Sequence, residues 1–268
     1  MRNLVTRFKR YIGIHGYRSY LDDRFEDYPL YRKIRFLTLP YKLYRVLIVL
    51  RGIYFDRLFD KKYKVETCSP AFLWDLDINS ESVADGVMYD PFPIHSFRFL
   101  IRALPIQDFS DYSFIDFGSG RGRILLGASE YNFNRITGVE FSQELHDSAV
   151  ANLKSYQNKH QKCFDVESIC EDAVTFSLPN SNNVYFFFAP FQGKILKQVL
   201  HNLKNSYLKH PRPMYIIYTA DIKFYEIPWD EIEQLNLFEK LSSGTLPFDL
   251  AQRYPNQYAI FGLKSSVD

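Results

Sequence analysis

Nearly continuous apolar runs alternate with amphipathic segments over the second half of the chain. The amphipathic segments have helical spacing, and the apolar runs are as short as single strands. Strands that are apolar on both faces and alternate with helices indicate a parallel sheet with helices on both sides. Two further strands follow at 238–243 and 257–264 without a full helix between them. We therefore predict an α/β fold with a doubly wound, mostly parallel, seven-stranded sheet, whose first five strands are 113–117, 135–140, 165–170, 183–191 and 213–220.

Three glycines at alternate positions follow the first predicted strand: Gly118, Gly120 and Gly122. A strand, a glycine turn and a helix begin a nucleotide-binding βαβ unit. Glycine suits this turn because the backbone is tight and a ligand must approach it closely. The second strand ends on Glu140, whose carboxylate can accept hydrogen bonds from both ribose hydroxyls of an adenosine. The pattern predicts a cofactor that carries adenosine.

The spacing of the glycines separates two kinds of cofactor. A dinucleotide fingerprint that begins at Gly118 requires a glycine at position 123, which is Arg123 here. The sequence Asp-x-Gly-x-Gly-x-Gly instead resembles the first motif of class I S-adenosylmethionine-dependent methyltransferases, with Asp116 at its acidic position and Glu140 at its ribose position. The resemblance covers roughly residues 85–264. It implies a Rossmann-like sheet whose last strand enters antiparallel, and S-adenosyl-L-methionine as the cofactor.

The resemblance also implies which residues hold the cofactor. Glu171-Asp172-Ala173, after the third strand, matches the adenine-binding position of the family, although an ordinary helix or turn cap would look the same. Tyr89, in Tyr-Asp-Pro, resembles a segment that closes over the methionine end of the cofactor, and a packed surface tyrosine is the alternative. The implied cofactor-binding residues are Tyr89, Asp116, Gly118, Ser119, Gly120, Gly122, Glu140, Phe141, Asp172 and Ala173.

The same residues narrow the resemblance within the methyltransferases. The glycine motif, Gly-Val-Glu-Phe-Ser and the upstream Tyr-Asp-Pro are similar to an uncharacterised bacterial group that is distantly similar to the non-SET histone lysine methyltransferases. The resemblance implies fold and cofactor but not the methyl acceptor, because this fold serves many acceptors.

The substrate side is expected at the end of the fourth strand, at Ala189, Pro190 and Phe191. DNA amino-methyltransferases carry a polar residue at the start of the corresponding segment, and this chain has none. That departure argues against methylation of a nucleobase amine and leaves a protein lysine, or a hydroxyl of a sugar or small metabolite, as the acceptor. No catalytic residue is identified, since Tyr89, Asp90, His95 and Asp221 are candidates for a base but none lies in a specific signature.

Charge divides the chain into two parts. Residues 1–64 carry 16 lysines and arginines against 6 acidic residues, a surplus of +10, whereas the remainder has 17 against 25, a surplus of −8. We interpret residues 1–64 as a basic helical N-terminal extension and residues 65–268 as the cofactor-binding methyltransferase domain. The three cysteines and six histidines are scattered, so we expect no metal and a reducing, cytoplasmic location.

An apolar stripe at helical spacing lies within the extension, after Pro40. The stripe is usually core, and we expect this helix to pack on the catalytic domain or on a second subunit in a homodimer. An anionic membrane surface is the alternative partner, which would make the enzyme peripheral at the membrane. Nucleic acid is less favoured, and the first ten residues lack the pattern of a signal peptide. The stripe consists of Leu43, Val46, Leu47, Leu50, Tyr54 and Leu58.

Two other classes of function remain open at this point. A NAD-dependent oxidoreductase would use Glu140 equally well, but Arg123 and the closing strand pair oppose it. A non-catalytic scaffold that binds an adenosine cofactor would use the basic extension as its working surface.

Overall fold

A computed structural model describes residues 39–69, 89–221, 227–249, 252 and 256–265. The expectations for residues 1–38 and for most of the connector before Tyr89 lie outside these ranges. The described part contains six α-helices and a short 3-10 turn at Phe109–Asp111 before the first strand. The helices are α1 Leu39–Tyr63, α2 Ile94–Arg102, α3 Arg123–Ala128, α4 Gln143–Ser155, α5 Gly193–Lys209 and α6 Trp229–Glu233.

The strands form a single seven-stranded sheet in the order β3-β2-β1-β4-β5-β7-β6. The first five are parallel to one another, and β7 lies antiparallel between β5 and β6. This arrangement confirms the predicted fold class, including the antiparallel entry of the last strand. The strands are β1 Tyr112–Phe117, β2 Arg135–Glu140, β3 Val166–Cys170, β4 Asn182–Phe188, β5 Met214–Asp221, β6 Phe238–Thr245 and β7 Asn256–Leu263.

The fourth strand is shorter than predicted, and the reason is a local change in backbone. It ends at Phe188 instead of running to Phe191, because Ala189 has a φ of 36° and leaves the extended conformation. Pro190 and Phe191 therefore belong to a turn that follows the strand.

Successive side chains of β4 point to opposite faces of the sheet, so its aromatic side chains lie in two core layers. Tyr185 and Phe187 of β4 pack with α5 and α6 on one face. Val184 and Phe186 pack with α2 and α3 on the other. A strand with two buried faces needs apolar residues at every position, which explains the unbroken run in β4.

Helix α1 packs on the sheet domain, but not through the face that the stripe predicted. Val49, Gly52 and Tyr63 are buried, and the Tyr63 ring lies 5.2 Å from that of Tyr156. The stripe residues Leu43, Leu47, Leu50, Tyr54 and Leu58 are exposed, so the expectation that they pack on the catalytic domain is wrong, while packing on a second subunit stays a prediction. Two aspartates on the buried face hold the helix in this orientation, as described below. The domain boundary after residue 64 stays a prediction.

Candidate cofactor site

The glycine turn lies at the carboxyl end of β1, between β2 and β4. The order of strands reverses at this point, and ligands of open α/β sheets bind in such a crevice. The amides of Gly118 and Ser119 donate to the carbonyl of Val139 at 2.8 and 3.2 Å, which fixes the turn to β2.

All three glycines of the turn have positive φ, at 74°, 54° and 81°. A Cβ at Gly120 would lie 2.2 Å from the Cε2 atom of Tyr89, and a Cβ at Gly118 would lie 2.4 Å from the Cβ of Pro190. Both the conformation and the space therefore require glycine at these two positions.

Glu140, at the end of β2, reaches back to this turn. Its Oε2 accepts from the amide of Gly120 at 2.8 Å, and its Oε1 accepts from the amide of Ser142 at 2.9 Å. A carboxylate has about four acceptor positions, so amide hydrogen bonds do not use up the acceptor capacity of Glu140. Ser142 also caps the N-terminus of α4, where its hydroxyl accepts from the amide of Leu145.

The environment of this carboxylate disfavours its charge. Burial raises the pKa of Glu140 from 4.5 to about 7, although hydrogen bonds from the amides of Ser142, Gly120 and Phe141 act in the opposite direction. Burial, with the nearby Glu140 charge, also raises the pKa of Asp116 well above its ordinary value. The site thus contains two buried carboxyl groups whose ionised forms would gain from additional hydrogen-bond donors.

A narrow cavity continues from the glycine turn along the carboxyl edge of the sheet. Its volume is about 30 Å³, too little for a nucleoside, so a ligand of that size requires its side chains to separate. Asp172 is held at its rim, with Oδ1 accepting from the amide of Val174 at 2.9 Å. The lining residues are Gly118, Val139, Phe141, Glu171, Asp172, Ala173, Pro190, Phe191 and Ile195.

Tyr89 covers the opposite side of the turn. Its ring lies against Gly120, and its hydroxyl donates to the carbonyl of Thr67 at 2.7 Å. The loss of solvent raises the pKa of the Tyr89 hydroxyl, which makes the phenolate unfavourable. Tyr89 is therefore suited to covering a ligand and poorly suited to acting as a base.

A buried ionic cluster behind the turn was not predicted from the sequence. Arg123, the first residue of α3, pairs with Asp56 and lies 3.4 Å from an oxygen of Asp60. Its Nε donates to the Thr67 hydroxyl at 2.7 Å, and Asp60 accepts from the amides of Thr67 and Cys68, each at 2.8 Å. The cluster joins α1 to Thr67 and Cys68, and the carbonyl of Thr67 accepts the hydrogen bond from Tyr89.

A signal for this cluster was present in the sequence. Asp56 and Asp60 are the two acidic residues in the otherwise basic stretch 39–64, and they are four residues apart on one helix face. Carboxylates at that spacing in a cationic helix indicate a buried basic partner, which the sequence alone does not identify.

The structure brings the predicted residues together around the turn and the cavity. Ala189 is buried at the end of β4, and Pro190 and Phe191 line the cavity beside Asp172. Asp221 is buried at the end of β5. The predicted roles of the cofactor-binding and substrate-side residues stay predictions.

His95 lies elsewhere. It lines an outer groove with Arg98 and Phe99. This groove shares no residue with the cavity beside the glycine turn.

No protein-family model matches the sequence, and no curated protein matches it. Solved structures of methyltransferases match the fold. The N-methyltransferase NodS from Bradyrhizobium japonicum, in complex with S-adenosyl-L-homocysteine, is 10% identical with a TM-score of 0.46, over 63% of this chain and 86% of that chain. The magnesium protoporphyrin IX methyltransferase ChlM from Synechocystis, with bound S-adenosylmethionine, is 10% identical with a TM-score of 0.43, over 64% and 78%.

A third match is the precorrin-6y C5,15-methyltransferase from Geobacter metallireducens. It is 17% identical with a TM-score of 0.46, over 63% of this chain and 87% of that chain. The narrower similarity to the non-SET histone enzymes is not shown by these matches. At TM-scores below 0.5, the matches add nothing to what the strand order already establishes about the fold.

Proposed function

We propose that this protein is an S-adenosylmethionine-dependent methyltransferase. One observation carries the proposal: three glycines with positive φ form a turn at the switch point of the sheet, and the turn is hydrogen-bonded to the buried carboxylate that ends the neighbouring strand. The glycines keep side chains out of a crevice that a cofactor must enter, and Glu140 supplies acceptors for two hydroxyls.

The residues around the turn fit this cofactor chemically. The remaining acceptor capacity of Glu140 suits the ribose hydroxyls, and Phe141 and Ile195 offer apolar surface to an adenine ring. Asp172 stands at the rim of the same cavity, where a carboxylate can accept from an exocyclic amine. The cofactor supplies a methyl group on a sulfonium, and the protein contributes binding and orientation.

The acceptor side is apolar in the segment 189–191. An acceptor that needs no polar partner from this segment is a lysine side chain or a hydroxyl, and these remain the proposed acceptors. Such a group must lose a proton, and Asp221, buried at the end of β5, is at the carboxyl edge where a base would act.

Calorimetric titration with S-adenosylmethionine, S-adenosylhomocysteine and NAD tests the cofactor. We expect the two adenosyl sulfur compounds to bind and NAD not to bind. Binding of NAD alone would instead identify an oxidoreductase. A screen of acceptors with a labelled methyl donor then separates an enzyme from a scaffold that binds the cofactor without turnover.

Substitution of Gly120 by alanine should abolish this binding. The new methyl group would lie in a backbone conformation unfavourable for alanine and would meet the Tyr89 ring. Gly244→Ala is the matched control, because a Cβ there would meet its nearest neighbour at 3.6 Å, an ordinary contact. Equal binding by the two variants, each checked for folding by circular dichroism, would contradict the proposed role of the turn.

The affinity for S-adenosylhomocysteine should rise with pH. Burial raises the pKa of Glu140 to about 7, and hydroxyl donors from the ligand favour the ionised form, so binding releases a proton below that pH. Affinity should increase by up to about tenfold per pH unit below pH 7 and level off above it.

The stability of the unliganded protein should change in the opposite direction and fall as the pH rises. A raised pKa contributes stability below pH 4.5 that is lost as the pH rises through 7, about 3 kcal/mol in total.

Calorimetry in two buffers of different ionisation enthalpy measures the proton that is released when S-adenosylhomocysteine binds. Glu140→Gln should remove the pH dependence of binding, and a slope that persists in this variant would assign the titration to another group.

A further inference from the structure

The exposed side of α1 carries a row of apolar side chains. Leu43, Leu47 and Tyr54 are 59%, 56% and 59% exposed, and Leu50 and Leu58 complete the row. We call these five residues the α1 face. Spacings of three and four residues place them on one side of the helix, opposite the side that carries Asp56 and Asp60.

The α1 face is bordered by positive charge. The exposed charged side chains among the described residues of α1, and of the residue after it, are Arg57, Lys61, Lys62 and Lys64. The two carboxylates of the helix are turned inward, where they pair with Arg123. The described exposed charges of this helix are thus all cationic.

The apolar surface extends beyond the helix. Phe248, in the loop between β6 and β7, is 72% exposed and lies under the guanidinium of Arg51 at 4.9 Å. Leu58 and Phe248 line the same groove, together with Phe55 and Lys62. Two separate segments therefore present apolar and cationic groups to the same side of the molecule.

We propose that the α1 face docks on an anionic lipid surface. Leucines with a tyrosine, bordered by cations, match the composition of helices that lie in the plane of a bilayer interface. No helix in the described part of the chain is long and apolar enough to span a bilayer, so α1 would lie along the surface. The Arg123 cluster holds the other side of α1 against the sheet domain and so presents the face outward.

Charge favours lipid over a second copy of the chain. Two copies that met through the α1 face would bring Arg57, Lys61 and Lys62 of each helix into one interface. The described part of the face offers no carboxylate to pair with them. Anionic headgroups supply the missing charge, and attraction to them is lost when salt screens it.

Co-sedimentation of the full chain with vesicles tests the proposal. We expect pelleting with phosphatidylcholine vesicles that contain phosphatidylserine, little pelleting with phosphatidylcholine alone, and release at high salt. Leu47→Asp should lower the bound fraction at least about tenfold, since a charge replaces an apolar group that the bilayer would bury. Lys61→Glu should act similarly through charge, as each lost cation weakens binding about fivefold.

Leu208→Asp is the matched control, because Leu208 is also a leucine that is 59% exposed on a helix, α5. It should leave vesicle binding unchanged, and an equal loss in this variant would overturn the assignment to the α1 face. The absence of pelleting with anionic vesicles at low salt would also overturn it. In that case, a dimer that Leu47→Asp converts to monomer would identify a subunit contact. A lower melting temperature of Leu47→Asp without a change in size would show that the chain's own residues cover the α1 face.

Discussion

Glu140→Ala should weaken the binding of S-adenosylhomocysteine by about 2–3 kcal/mol, or roughly 30- to 150-fold. In the proposed complex, the variant removes a buried acceptor from two ribose hydroxyls, which would then be desolvated without a partner. It also removes the bond to the Gly120 amide, which fixes the turn. Titration calorimetry at pH 8, where Glu140 is ionised in the native protein, measures the full effect.

Glu167→Ala provides the control for this substitution. Glu167 lies on the adjacent strand β3, and its carboxylate pairs with the half-exposed Arg135 at 2.6 Å. Its loss should change the affinity by less than about 0.5 kcal/mol. Unchanged affinity in Glu140→Ala would refute the ribose assignment, while leaving the cofactor question to the titration with NAD.

Arg123→Met should lower the free energy of unfolding by about 3–5 kcal/mol. The substitution leaves Asp56 buried without its cation, and Asp56 is 1% exposed. Asp60 loses the same neighbour but keeps its bonds from Thr67 and Cys68. Thermal or urea unfolding measures the change, with a fall in melting temperature of roughly 10 °C.

A second substitution distinguishes the ionic cluster from simple packing. Arg123→Met combined with Asp56→Leu should recover most of the lost stability, because apolar side chains of similar volume can replace a buried ion pair. Arg98→Met breaks the partly exposed pair with Glu130 and should cost about 1 kcal/mol or less. A cost for Arg123→Met as small as that for Arg98→Met would show that the cluster does not hold α1 in place.

The architecture of the sheet could be predicted from the sequence because its signals are local. The apolar run 184–188 has no polar interruption, which is the pattern of a strand buried on both faces. The glycine turn could be predicted as well, since Gly118, Gly120 and Gly122 all occupy a backbone region that other residues rarely adopt. The location of Glu140 beside this turn could be predicted because Glu140 ends the next strand.

The partners of buried charged groups could not be predicted, because they depend on segments far apart in the chain. Arg123 was informative in the sequence only as a departure from a dinucleotide motif, whereas the fold brings it to Asp56, 67 residues away. The hydrogen bond from the Tyr89 hydroxyl to the carbonyl of Thr67, 22 residues away, could not be predicted for the same reason. Local spacing carries no information about such pairs.

The sequence by itself predicted a helix after Pro40 with an apolar stripe from Leu43 to Leu58, since periodicity is a property of neighbouring positions. Only the tertiary structure decided which face is buried. The apolar stripe predicts burial of Leu47 and Leu58, but burying Asp56 and Asp60 against Arg123 turns that stripe outward. A buried carboxylate that lacks its partner costs more free energy than an exposed leucine, so the ionic cluster sets the orientation of the helix.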